Sequence, residues 1–282
     1  MTATSVAASP RAEARLRHLP AYRQIARGRV QMSFTYRQNS FFLLALVVVQ
    51  IFVLRRVWTA LYAGHSTSNL LALHSLIVYL TIVNLQNWVI QDPSVAFYMY
   101  ERIREGVVAF DLVRPTGFVP QMLAHLVGSG LASLLFVLPA VPIALFAGAL
   151  AGPATITAGL LYLVSLTVGY LIAMLLTLML GMIAFWTMET QALAMLYMLV
   201  NAFFGGALVP LTLFPHGLEI LARLLPFQAS LYTPVGIYVG QISVGRDAVL
   251  AIGVQLGWLV VLSLGARAMW KRALFHVVVQ GG

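Results

Sequence analysis

Long apolar runs separated by short polar or proline-bearing breaks repeat along the whole chain. Runs at 41–62, 70–91, 119–150, 156–186, 192–209 and 248–270 reach or approach the ~20 residues a helix needs to cross a hydrocarbon layer. They lack the period-two alternation of barrel strands. The pattern therefore predicts an all-α integral membrane protein with six transmembrane helices. Asp92-Pro93 ends the second run, because a residue before proline disfavours helix. Pro139 and Pro142 remove backbone hydrogen bonds from the third run and predict a bend. Gly152-Pro153 marks the turn after it. The 156–186 run is longer than a bilayer needs, so it tilts or extends beyond it.

Three stretches break the pattern. At 97–117, FYMYERIREGVVAFDLVRPTG gathers Glu101, Arg102, Arg104, Glu105, Asp111 and Arg114 into one charged island. Tyr100, Ile103, Val107 and Phe110 recur at helical spacing and predict one shared face, opposite Glu101, Arg104 and Glu105. Glu101 and Arg104 are spaced for an i,i+3 pair. A surface-lying amphipathic helix and a solvated loop both fit this pattern. At 210–246, Pro210, Pro215, Pro226 and Pro234 interrupt apolar runs too short to cross, which predicts re-entrant helices between spans five and six. Residues 11–37 interleave seven arginines with Leu16, Leu19, Tyr22, Ile25, Val30 and Phe34, predicting an interfacial helix or a positive anchor. Residues 1–10 read as a disordered tail without a secretory signal, and 38–282 as a single transmembrane domain.

Charge orients this layout. Thirteen of the 17 basic residues fall on one side if both termini are cytoplasmic, as the positive-inside bias requires. Arg55 and Arg56 lie in the first run, about 21 Å from its inner edge. They either snorkel to the outer surface or line a pathway or subunit interface. Charged residues make up only 9% of the chain and cysteine is absent, which excludes an ordinary soluble domain and disulfide or thiol chemistry. No basic stripe with interleaved aromatics supports nucleic-acid binding.

Motifs for catalysis are missing. A phosphate-binding Walker A loop needs a lysine after glycine; the single lysine, Lys271, follows Trp270. Ser129 stands four residues from His125, but a small residue in a span is first a packing element. The six histidines are scattered without paired carboxylates, so neither a catalytic residue nor a metal or cofactor site is expected. Gly148/Gly152, Gly236/Gly240 and Gly253/Gly257 have the spacing of close-packing helices.

The ordered set Tyr36-Arg37, IREGVVAFDLVRP at 103–115, GGALVPLTLFP at 205–215, LPF at 225–227 and the final VQGG resembles the permease subunits of bacterial type-2 ATP-binding-cassette (ABC-2) exporters. It is most similar to the branch with paired permeases and a separate ATPase. The resemblance implies a connecting helix at about 16–31 and a cytoplasmic coupling helix in the island. Glu101, Arg102, Arg104 and Glu105 would contact the ATPase there, with Glu189 of the other inner turn as a second contact. It also implies outer re-entrant helices, and a pathway formed with a second permease, the same or a related chain. The partner ATPase pair would hold ATP and Mg, and the location would be the bacterial inner membrane. Family cargoes span drugs, antibiotics, glycans and lipids, and the sequence does not choose among them. Two other readings stay open. A secondary transporter would need ionisable groups at mid-span, yet Asp92, Glu189 and Asp247 all lie at span ends. A structural subunit would share this composition.

Overall fold

The computed structural model describes residues 18–35, 37–62, 67–187 and 190–280, and every regular element among them is helical. Helix α1 (Leu19–Thr35) precedes α2 (Arg37–Leu61) and α3 (Thr67–Ile90). Helices α4 (Ser94–Arg104) and α5 (Val108–Val113) form the charged island. The third apolar run is divided into α6 (Phe118–Val137) and α7 (Ala140–Phe146), broken where Pro139 cannot continue the ladder. After α8 (Ile156–Met182) come α9 (Thr190–Phe204), three short helices α10 (His216–Leu224), α11 (Pro226–Ser230) and α12 (Tyr232–Tyr238), and the long α13 (Arg246–Gln280).

Among the described residues five helical stretches, not six, are long and apolar enough to cross a membrane: Phe41–Leu61, Leu73–Arg104 (α3 carried on into α4), Phe118–Phe146 (α6 with α7), Ile156–Phe185 and Arg246–Phe275. The run expected to be the fifth span is α9, only 15 residues long. That is about 22 Å of helix against a hydrocarbon core of about 30 Å. It ends because Gly206 turns left-handed, at φ 83°, and Pro210 follows without an N–H to donate.

Helix α8 is the axis of the bundle, packing against α4, α11, α12 and α13. In its most apolar stretch 61% of the residues are buried, against 11% in that of the α2 span and 17% in that of the α13 span, so α2 and α13 present apolar flanks to lipid or to another chain. The short helices α11 and α12 are buried almost throughout. Their broken backbone leaves carbonyls without helical partners, each costing several kcal/mol in a medium without water.

Side chains on the spans supply the missing donors. Tyr79 donates to the Gly206 carbonyl at 3.0 Å, and Asn84 to those of Leu80 at 2.8 Å and Ala207 at 3.2 Å. Gln86 donates to the carbonyls of Ser230 at 2.8 Å and Leu231 at 3.3 Å. From α13, the fully buried Gln255 donates to Ala229 at 2.6 Å and to Ser165 at 3.1 Å, while its Oε1 accepts from the Ser165 hydroxyl at 2.9 Å. Asn84 is itself held, accepting from Gln50 at 2.7 Å, whose Oε1 accepts from Trp88 at 3.1 Å.

Helix α1 lies along α6. Contact is close because Gly128 has no side chain: a Cβ there would stand 2.6 Å from the Ala26 carbonyl oxygen and 2.8 Å from Arg29 Cβ. Phe34 meets Phe136 at a centroid distance of 5.2 Å. By contrast, Gly253 and Gly257 have nothing within 4 Å of their Cβ positions. Gly128→Leu should therefore lift α1 from α6 at a cost of about 1–3 kcal/mol, seen as faster tryptic cleavage at the exposed Arg23 and Arg27. Gly253→Leu should leave the cleavage rate unchanged.

Candidate functional site

The island is built from two short helices on a fixed base. Asp92 Oδ1 accepts from the Ser94 N–H at 2.8 Å, holding the turn that starts α4. Val95, Ala96 and Met99 are buried, where α4 packs on α8. The helix stops after Arg104 because Gly106 takes φ 71°, a left-handed conformation natural to glycine. Gly117, at φ 70°, closes the far side before α6.

This break corrects the single amphipathic face read from the sequence. Tyr100 and Ile103 belong to α4 while Phe110 belongs to α5, so the spacing across Gly106 no longer carries one helical phase. Val108 is buried in place of Phe110, which is 72% exposed, and Val113 is 86% exposed.

The electrostatic centre also differs. Asp111, 1% exposed, accepts a hydrogen bond from Arg102 Nε on Oδ2 and faces Arg114 Nη1 across 3.2 Å at Oδ1. The Arg102 guanidinium lies 5.3 Å from the centroid of the Tyr98 ring, within cation–π range. That ring in turn packs on His125 of α6 at 5.0 Å. One buried carboxylate thus ties α4 to α5 and, through Tyr98, to α6. Glu101, Arg104 and Glu105 are exposed, and no Glu101–Arg104 ion pair forms among the described residues.

Arg29 joins the base of the island to α1. Its Nη2 donates to Ser94 Oγ at 2.6 Å and its Nε to Ser129 Oγ at 3.0 Å, and Tyr22 OH donates to the Thr116 carbonyl. Ser129 is therefore an acceptor for a guanidinium on a neighbouring helix. Arg55 lies elsewhere, donating to the Ala147 carbonyl just past the C-terminal end of α7, where helix carbonyls attract cations. Arg56 is exposed, and Glu189 lies outside the described residues. Among the described residues no group of three or more His, Asp or Glu converges as metal ligands would.

Residues 41–281 match the family model for the ABC-2 family transporter protein. The chain belongs to the ABC-2 transporter family. No curated protein and no solved structure matches it. This ABC-2 protein is a membrane protein by its family and its several apolar helices, and proteins of the family typically work with an ATPase partner.

Sequence reasoning missed Asp111, Phe110 and Val113 as the features that shape the island. The usable signal was the pair of helix breakers, Gly106 and Pro115-Thr116-Gly117, which bracket a helix too short for a periodicity argument. The asymmetry of the Asp111 cluster is testable by thermal unfolding. Arg102→Met leaves the buried carboxylate with one exposed partner and should cost about 3 kcal/mol. Asp111→Ala leaves arginines that reach water and should cost only about 1–2 kcal/mol. The double variant should resemble Asp111→Ala.

Proposed function

We propose that this ABC-2 protein is the membrane-spanning permease subunit of an ATP-driven exporter, with the island as its docking element for a separate ATPase pair. ATP and Mg reside on that partner, and the permease has no catalysis of its own. In this reading the island and both termini face the cytoplasm of a bacterial inner membrane. The short α9 serves as the fifth of six spans, tilted little and completed by the residues after it. Residues 210–246 form the re-entrant closure at the outer face. A second permease, identical or related, covers the apolar flanks of α2 and α13 and completes the pathway, with Arg55 and Arg56 near its outer end.

The observation that carries the proposal is the projection of Phe110 and Val113 from a base pinned by Asp111. Exposed aromatic and aliphatic side chains on a short, braced helix are unfavourable in water and suit insertion into a groove. A rigid base transmits a push from such a groove; a mobile loop would absorb it. Glu101, Arg104 and Glu105 surround this knob as steering charges at the rim, where they change association rate more than affinity. Arg102 acts as a brace, and Glu189 is a second contact from the other inner turn.

Purification from native membranes in mild detergent should bring down a nucleotide-hydrolysing chain. Phe110→Asp should reduce that capture at least about tenfold, the effect of losing one well-buried aromatic anchor, while the permease stays monodisperse. Charge reversal at Arg104 should have a smaller, salt-dependent effect. Absence of any nucleotide-binding partner, or full capture by Phe110→Asp, would contradict the proposal.

A further inference from the structure

A cavity of about 430 Å³ opens where α1, α2, α6 and the α3–α4 turn meet, and its lining is divided by chemistry. One part is apolar, with Leu43, Leu44 and Val47 of α2 facing Phe136 of α6. The other part holds Arg29, Asp92 and the hydroxyls of Ser94, Ser129 and Ser133. Arg29 and Asp92 flank a single residue: Ser94 accepts from Arg29 through its hydroxyl at 2.6 Å and donates its N–H to Asp92 at 2.8 Å. Neither charge has an ion-pair partner among the described residues. A guanidinium and a carboxylate thus meet on one serine, without a direct ion pair, at the polar end of an apolar slot.

We propose that this cavity binds a phospholipid whose headgroup carries both a phosphate and a primary ammonium, with its acyl chain along the α2–α6 wall. A guanidinium is a strong phosphate partner because its N–H groups form charge-assisted hydrogen bonds with the oxygens. The serine hydroxyls supply further donors for the same oxygens. Asp92 accepts from the ammonium, and its negative charge disfavours a headgroup that offers phosphate alone. The apolar wall excludes a small water-soluble zwitterion as the better ligand, since most of the burial comes from the chain. The position matches a lipid: the slot lies on the island side of the bundle, beside the helix that leads into the first span. Bound there, the lipid would bridge α1 to α2 and fill a gap that α1 leaves against the bundle. The site uses none of the residues assigned to ATPase docking, so it stands or falls independently of the exporter reading.

The test is native mass spectrometry of the full chain, exchanged into mixed micelles of phosphatidylethanolamine, phosphatidylglycerol and phosphatidylcholine. The wild-type protein should retain phosphatidylethanolamine over each of the other two by about tenfold, the worth of one charge-assisted bond. Asp92→Asn should abolish the preference over phosphatidylglycerol while keeping total lipid retention. Arg29→Met should lose retention of all three phospholipids at this site. Ser133→Leu, which fills the slot without touching the Arg29–Ser94–Ser129 bonds, keeps the proposal testable if Arg29→Met fails to fold; it should reduce retention about tenfold. Equal retention of the three lipids by the wild type, or wild-type behaviour of Asp92→Asn or Ser133→Leu, would overturn the proposal. Displacement of the lipid by soluble phosphoethanolamine at matched concentration would also overturn it, reassigning the site to a small zwitterion.

Discussion

A backbone that leaves the helical conformation among apolar spans must find donors for its carbonyls, and this need organises the bundle. At Gly205–Ala207 and again at Ala229–Leu231 the chain turns within buried surroundings. The donors that meet it come from three different helices: Tyr79, Asn84 and Gln86 on α3, Gln255 on α13, and Ser165 on α8 acting through Gln255. Each such bond contributes modestly, about 0.6 kcal/mol on average between membrane helices. The cost of leaving the same carbonyl unmet is several times larger. The network therefore matters less as an adhesive than as a condition the broken segment must satisfy. It also sets position, because a side-chain amide accepts only a narrow range of placements for its partner.

The second fixed point lies at the other end of α8. There α4 is packed through Ala96 and Met99, and Asp111 ties α5 onto it. Arg29 connects this base to α1, which rests on α6 through the gap left by Gly128. A displacement of the island would thus be felt in two places, along α8 and through Arg29 in α1. Helix α8 contacts both the island and the broken segment, so one rigid rod joins the two ends of the bundle.

Much of this was legible in the sequence. Span positions followed from hydropathy because length and apolarity set them directly. The island was visible as charge against an apolar background, and the irregularity of 210–246 as clustered prolines. The count of spans was not: α9 lies in an apolar run, but Gly206 ends its helix, and hydropathy does not register a change of backbone angle. Partners across the bundle were hidden for a related reason. Gln255 and Ser165 are 90 residues apart, and each alone is one polar residue in a greasy helix. The GxxxG spacings pointed to Gly253 and Gly257, which meet nothing within 4 Å, while Gly128, without that spacing, takes a tight helix contact. Within the island, a single periodicity drawn across Gly106 put Phe110 on one face with Tyr100, Ile103 and Val107, although the glycine reset the phase.

The dependence of the broken segment on span side chains can be measured directly, since the chain has no cysteine and one introduced thiol reports without background. Ala207→Cys places it at a residue 3% exposed whose carbonyl accepts from Asn84. Labelling by a small maleimide should be slow in this background. It should rise at least about tenfold when Asn84→Leu and Gln86→Leu are added, although both changes make α3 more apolar. If the labelling rate stays the same, apolar packing alone holds the segment, and the amide donors are not what the bundle depends on.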